Sequence, residues 1–485
     1  MMSRTADSAP QPGLLANAIS LPGAIMQSIT TMSPAVSVAF TVPFLASTSG
    51  LVSPLAVLCS AVVSYLLGYS LSQLTRHMRS AGSYQSFVRV LVGSRWGFMV
   101  AWVYLLFYPI AAAMLCGLIG STLHQILQSE YNFDLPWWLP MIILIAIIGS
   151  LAYLGVKIAT EVIVALGVIE IVIMLALAIW GLADPGPGGT SLSWVYGAHW
   201  PGGHAFFLGF VFSIYNLTGW DAAATLGEET ANPLRNIPRA VLGSIIVMAA
   251  FVVITTWGEL TGWGTADLAG FLDSKELPIF ALAHKYWGGL WIIALIALMN
   301  SIAGAALACT NAASRVIFDM ARIGALPRSW SRTGKHKTPV VAIMIQTAIN
   351  LGIGLLMIAK IGLYNVFNFT GLMFVFALLF VYVLGNVAVW RMYRTTARSE
   401  FNVIKHVAIP VVGTAALILV AYESLNPAPP SPLNWALPTV LIWFAIGAIV
   451  LAVRGVRGDN GWLSDEAEDS VPVSATGERA ELAPN

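Results

Sequence analysis

Residues 162–180 read VIVALGVIEIVIMLALAIW, nineteen residues of which each is apolar or glycine except Glu170. At a rise of roughly 1.5 Å per residue a helix of this run is about 28 Å long, the thickness of a bilayer's hydrocarbon core, and Glu170 falls near its midplane. An acid at that depth costs about 2–3 kcal/mol on the insertion scale, and more if it stays charged. A chain that keeps it there has a use for it. Of the 485 residues 58% are hydrophobic and 10% charged, which makes this an all-α polytopic membrane protein. A net charge of +1 and the lack of a dense Lys/Arg run exclude a nucleic-acid partner recruited by bulk charge. The expected partners are the lipid bilayer and a small solute. Cys59, Cys116 and Cys309 lie in apolar runs without C-x-x-C spacing and read as small buried hydrophobes. The amino end, MMSRTADSAPQPGLLANAIS, lacks a cleavable signal pattern and leads into a retained first span.

A membrane-length window predicts twelve spans: 20–47, 51–75, 95–122, 136–155, 160–182, 203–228, 239–263, 286–314, 338–358, 363–390, 403–421 and 436–453. With the amino end inside, all of the 24 Lys and Arg residues except Lys275, Lys285 and Lys360 fall on the cytoplasmic side. That bias predicts a plasma-membrane protein with both termini cytoplasmic. The last segment, 458–485, is acidic and aperiodic and reads as a disordered tail.

Interrupted helices are tolerated in a membrane only where they are buried in protein or line a cavity. Span 1 carries SITTMSPAVSV, where Thr30, Thr31 and Ser33 can bond backbone groups and Pro34 removes a donor and clashes with the preceding turn. Span 6 carries SIYNLTGWD, with a weak point at Asn216, Thr218 and Gly219. These are the first spans of two consecutive groups of five, and an odd number of spans inverts the second group. Breaks at matching positions of inverted repeats point to a midplane site in secondary transporters. Half-helix amino ends suit a carboxylate, while carboxyl ends suit an ammonium or cation, so a zwitterion fits both.

GWDAAATLGEETANPLRNIPRAV at 219–241 resembles the sixth-helix signature of the amino acid–polyamine–organocation (APC) superfamily of permeases. LTRHMRSAGSYQSFVRVLVG at 74–93, YLGVKIATEVIVALGVIEI at 153–171 and NAASRVIFDMARIGALPRSWSR at 311–332 agree in order and spacing. The resemblance implies a leucine-transporter-like fold: a cytoplasmic tail 1–14, inverted five-helix repeats at 15–182 and 183–395, and two further helices at 396–457. It places Thr31, Ser33, Pro34, Ala35 and Val36 around a substrate carboxylate, and Tyr215, Asn216, Leu217, Thr218 and Gly219 around its amine. Tyr215 stands where relatives carry an aromatic lid, and MSPAV departs from the Gly-rich break of many members. On the residues themselves, Glu228 and Glu229 end a helix, Pro233 and Pro238 stop it, and Arg235 and Arg239 are placed to pair with the acids. SAGSY is a tight turn leading into an amphipathic segment.

Glu170 shares a face with Gly167 and, by the resemblance, looks toward a cation site between helices 1 and 8. Coupling to a proton, a hydrogen bond to a neighbouring helix and direct contact with the substrate are the readings open to it. Asp221 is the second coupling candidate, and Asn300, Ser301 and Thr310 read as packing glue. No H-E-x-x-H, G-x-S-x-G, P-loop or His/Cys cluster is present, so neither an enzyme, a metal site nor a cofactor is expected. The expected function is proton-coupled import of a neutral amino acid. An alkanolamine or other amine permease, and a sensor on the same fold, are the alternatives, with a homo-oligomer open.

Overall fold

The computed structural model describes residues 16–456, apart from 79, 81, 191, 198, 275 and 427–429. The expected tails 1–14 and 458–485 lie outside the described residues. Hydrocarbon offers no partner for backbone N–H and C=O groups, so apolar runs of this length satisfy them within helices. The long elements are α1 (Leu21–Thr31), α2 (Ser53–Thr75), α3 (Ser94–Tyr131), α4 (Trp138–Leu154), α5 (Val156–Ala183) and α6 (Gly203–Asn216). They continue as α7 (Pro233–Trp263), α8 (Ile292–Arg322), α9 (Val340–Ile361), α10 (Leu363–Thr395), α11 (Ile409–Glu423) and α12 (Ala436–Val456). No strand occurs among the described residues; one isolated parallel bridge joins Ile19 to Thr230. Among the described residues, nine helical stretches are long and apolar enough to cross a membrane, one of them running from Leu21 to Thr75 and so containing both α1 and α2. At 17 and 14 residues, α4 and α6 are shorter.

The helices follow the apolar runs, with departures where local chemistry rather than hydropathy sets the end. The run at 95–122 is helical to Tyr131, because polar residues beyond the hydrocarbon still propagate a helix until Asn132 turns it at φ 49°. A separate helix, Pro278–Trp287, precedes α8, and Gly288 at φ 55° makes the corner between them. Pro233 and Pro238 do not stop a helix. Pro233 begins α7, where a missing N–H costs nothing, and Pro238 lies inside it. SAGSY turns at Ser83 and leads into a short helix, Tyr84–Leu91, that buries Tyr84, Phe87, Val88 and Leu91.

Both expected breaks are present, and each is two or three residues long. In the first, only Met32 and Ser33 interrupt the helix, Ser33 adopting φ 54°. Pro34 is the first residue of the continuing piece, Pro34–Val36, which runs through a π-helical turn at Ser37–Thr41 into Val42–Ser49. In the second, Leu217–Gly219 interrupts the helix, with Gly219 at φ 122°, and a 3₁₀ piece follows at Trp220–Leu226.

Between them, α7 packs on α1, α2 and α5, while α8 packs on α3 and α5. Glycine sets the α5–α7 distance: a Cβ on Gly258 would come within 2.8 Å of the Ala178 carbonyl carbon, and one on Gly262 within 2.9 Å of Gly181 Cα. Gly258→Ala is therefore expected to lose about 1–3 kcal/mol by overpacking. Gly352→Ala, at a position with open space around it, is expected to be neutral. Thermal unfolding in detergent compares the two, and equal midpoints would mean that the glycine contact does not set the packing.

Candidate substrate-binding site

The two interruptions meet. Ser28, in the last turns of α1, donates its hydroxyl to the Trp220 carbonyl at 2.8 Å and accepts from the Ala223 N–H at 3.0 Å. Beyond the break, the Ser37 hydroxyl donates to Asn216 Oδ1. Gly219 lies against Thr31 so closely that a Cβ there would meet Thr31 Cγ2 at 2.9 Å. Hydroxyls on one broken helix thus serve backbone and side-chain groups of the other.

Between the breaks lies a cavity of about 50 Å³. Thr31, Ser33, Val36, Tyr215, Asn216 and Thr218 line it. Pro34, Ala35, Leu217 and Gly219 are not on its wall: Leu217 is buried in the core, Gly219 is spent on the contact with Thr31, and the Ala35 N–H donates to Ser301 Oγ at 3.1 Å. The remaining wall comes from α3, α8 and α10, including Phe107, Met114, Cys309, Phe367 and Phe374. Sequence reasoning missed these because an apolar residue in an apolar helix carries no mark that separates a cavity wall from a core. No lining residue is charged, and Asn216 Nδ2 has no hydrogen-bond partner among the described residues.

The faces on either side of the cavity differ. On one, a vestibule of about 1120 Å³ reaches down to Phe40 and Phe367. Phe367 lines both spaces, with ring centroids 5.8 Å from Phe40 and 6.0 Å from Tyr215. On the arginine-rich face the structure is closed by several layers. Trp220 stacks on Tyr382 at 5.0 Å and Tyr382 abuts Tyr84 at 5.8 Å. Below them Arg315 pairs with Glu229 at 2.5 Å, both buried, and Arg322 bridges Glu228 at 3.2 Å and Asp319 at 2.8 Å. The acids' partners are these α8 arginines instead of Arg235 and Arg239, because the loop after Leu226 folds back under α8. Ile19 completes the closure by donating to the Glu229 carbonyl at 3.0 Å and accepting from the Ala231 N–H at 2.9 Å.

Glu170 is 1% exposed. Its carboxyl lies beside the Ser301 hydroxyl and the Ala35 N–H, at the start of the helix that follows the first break. Ser301 is therefore more than packing glue, whereas Asn300 donates to the Leu166 carbonyl at 2.7 Å and Thr310 accepts from Asn350 at 3.3 Å. Asp221, fully buried at the start of the 3₁₀ piece, accepts from Tyr104 at 2.8 Å and Tyr108 at 3.4 Å. Glu259 on α7, also buried, has no partner for either oxygen among the described residues. Its signal was the single acid in VVITTWGELTGW, close enough to the span end to pass for an interfacial group. Among the described residues, metal-ligand types gather at Glu130, Glu276 and His284, within 4.8 Å of one another on the exposed vestibule rim. Partial burial, with Glu130 nearby, holds the Glu276 carboxyl above the usual carboxylate range against the opposing pull of His284.

A helical membrane bundle with two interrupted helices around one central cavity has the form of a membrane transport protein. Residues 23–456 match the family model for amino acid permeases, and the chain belongs to that family, within the APC superfamily. The family is one of permeases, not enzymes. The chain is 24% identical to the amino-acid permease AapA of Bacillus subtilis (strain 168) over 429 residues, 83% of this chain and 87% of that protein. It is 24% identical to the low-affinity putrescine importer PlaP of Escherichia coli (strain K12) over 417 residues, 82% and 85% of the two chains. Similarity to the polyamine transporter RMV1 of Arabidopsis thaliana, 26% identity over 283 residues, covers 55% of this chain and about half of that protein, 53%.

The buried pair on the arginine-rich face gives a stability test. Arg315→Met leaves Glu229 charged and unpartnered and is expected to cost about 3–5 kcal/mol, most of it recovered in the double variant Arg315→Met/Glu229→Leu. Detergent unfolding curves measure the cycle, and additive losses would mean that the two side chains are not coupled.

Proposed function

We propose that this permease is a secondary active transporter that imports an amino acid without a charged side chain by alternating access, coupled to protons through Glu170. In this reading the chain crosses the plasma membrane twelve times as two inverted five-helix groups, 15–182 and 183–395, with two further helices, and the arginine-rich face is cytoplasmic. The vestibule then opens outward, and the described conformation is closed inward. The observation that carries the reading is the cavity itself: it lies where two helices are broken, has no charged wall residue and is separated from the vestibule by Phe367. Carboxyl ends of α1 and α6 give negative potential there and the starts of the following pieces give positive potential, a pattern that suits a zwitterion.

An amine or alkanolamine is the second reading, favoured by similarity to a putrescine importer. An ammonium without a carboxylate would leave the positive helix ends unanswered, and a diamine would need acidic partners that the cavity wall lacks. A sensor on the same fold would bind without accumulating its ligand. Rocking of α1, α2, α6 and α7 against α3, α4, α8 and α9 would move Glu170, on α5, relative to Ala35. A charged Glu170 holds that N–H and the positive helix start, and protonation weakens the hold. Asp221, held by two tyrosines, is better suited to fixing the inner piece of the sixth helix. Uptake of a labelled amino-acid panel into proteoliposomes, with and without pH and sodium gradients, tests substrate and coupling together.

Two variants sharpen that test. Glu170→Gln keeps the size and bonding of the protonated acid, and is expected to leave binding and exchange within about twofold while abolishing accumulation driven by a pH gradient. A variant that still concentrates substrate like the parent would remove Glu170 from coupling. Tyr215→Ala is expected to weaken binding by about tenfold or more through loss of the aromatic face, with Tyr215→Phe much milder. Equal damage from the two, measured as dissociation constants, would move the lid elsewhere.

A further inference from the structure

Four buried side chains along the junction of α1, α5 and α8 each have an oxygen without a hydrogen-bond partner: Gln27 Oε1, Thr30 Oγ1, Thr160 Oγ1 and Glu170 Oε2. Their residues are at most 6% exposed. Buried polar atoms are ordinarily paired with protein or ordered water, so four in one seam need a common account. They are also in order. At 100° per residue, Gly23, Gln27 and Thr30 fall within about 60° on α1, and Thr160, Gly167 and Glu170 within about 80° on α5.

Cross-contacts fix the pairing of the two rows. A Cβ on Gly23 would meet Thr160 Cγ2 at 2.9 Å, so these two lie opposite each other near the arginine-rich face. A Cβ on Gly167 would meet the Met26 Cε methyl first, then Thr30 Oγ1 at 2.9 Å and Glu170 Oε1 at 3.9 Å, which puts Thr30 beside Glu170 at the inner end with the Met26 side chain next to them. Gln27 sits between these levels and donates its Nε2 to the Ala308 carbonyl of α8 at 3.1 Å, leaving its oxygen turned to the seam. Thr160 and Glu170 are separated by about 15 Å of helix, and successive groups by about one turn. One water, making two hydrogen bonds of about 2.8 Å, bridges such a gap.

We propose that this seam is the proton exit path: Glu170 gives up its proton toward the arginine-rich face through waters bonded to Thr30, Gln27 and Thr160. This rests on proton coupling at Glu170. Each transfer breaks one O–H bond and forms the next, and it returns Glu170 to the carboxylate held by Ser301 and Ala35. No charged side chain faces the interior of the path from α1. The charged groups on the packed elements lie outside its interior: Lys157 and Glu161 on the exposed start of α5, Arg315, paired with Glu229, and the Asp319–Arg322 pair on α8, the exposed Arg235 and Arg239 at the start of α7, and the buried Glu259 near its far end. The glycines at 23 and 167 bring the helices together, and the flexible Met26 side chain beside Gly167 is the apolar group that the waters would pass.

Thr30→Val and Thr160→Val remove hydroxyl groups while preserving side-chain volume. In proteoliposomes supplied with labelled alanine, serine, leucine and phenylalanine, each variant is expected to lose at least tenfold in pH-gradient-driven accumulation and in proton entry reported by trapped pyranine. Exchange of internal against external amino acid at equal pH, which needs no net proton transfer, should stay within twofold. Thr30→Ser and Thr160→Ser restore the hydroxyl and should restore proton entry. Variants with parental proton entry, serine variants that fail to recover it, or valine variants that lose exchange in step with accumulation would each overturn the path. A parent that shows no pH-driven uptake would instead overturn coupling at Glu170, and the path with it.

Discussion

A peptide N–H or C=O in hydrocarbon without a partner costs several kcal/mol, and two helices of this protein are nevertheless interrupted beside one cavity. The surrounding structure is organised around meeting that cost. Ser28 on α1 satisfies both the Trp220 carbonyl and the Ala223 N–H across the second break. The Ala35 N–H beyond the first break is met by Ser301 from α8, with Glu170 from α5 beside it. Each broken helix is completed by side chains of other helices, and so cannot be placed independently of them.

The buried acid of α5 takes its meaning from this. Glu170 answers the positive start of the helix that resumes at Pro34, much as Asp221 answers the start of the piece that resumes at Trp220. The environments differ. Asp221 Oδ2 accepts from two tyrosine hydroxyls, whereas Glu170 Oε2 faces a seam of other unpartnered oxygens; Asp221 Oδ1 likewise has no partner among the described residues.

The asymmetry between the two faces follows from which interactions close them. Toward the vestibule the barrier is a single layer of aromatic rings, held by dispersion and free to change rotamer. Toward the arginine-rich face it is a stack of rings above buried and half-buried ion pairs joined to a backbone pairing of residues 19 and 229–231. Opening that side would expose and rehydrate both partners of the Arg315–Glu229 pair together, which is far less costly than leaving either one buried alone. Close glycine contacts between α5 and α7 meanwhile keep those two helices at one spacing.

The sequence by itself determined the class, the apolar runs and the two weak points, because these depend on one-dimensional quantities: hydrophobic length, the missing N–H of proline and the permissive φ of glycine. It also marked Glu170, since a lone acid in nineteen apolar positions is visible without coordinates. Tertiary structure decided which residues face the cavity. Pro34, Ala35, Leu217 and Gly219 belong to the breaks in sequence yet leave the wall in space, because the N–H groups and close contacts that complete the breaks turn them outward. Phe107, Phe367 and Phe374 enter the wall from helices whose patterns read only as apolar. The partners of Glu228 and Glu229 were likewise settled by how the loop folds beneath α8, and no local spacing distinguishes Arg315 and Arg322 from Arg235 and Arg239 as candidates. Length and backbone chemistry are written along the chain, whereas facing is a property of packing.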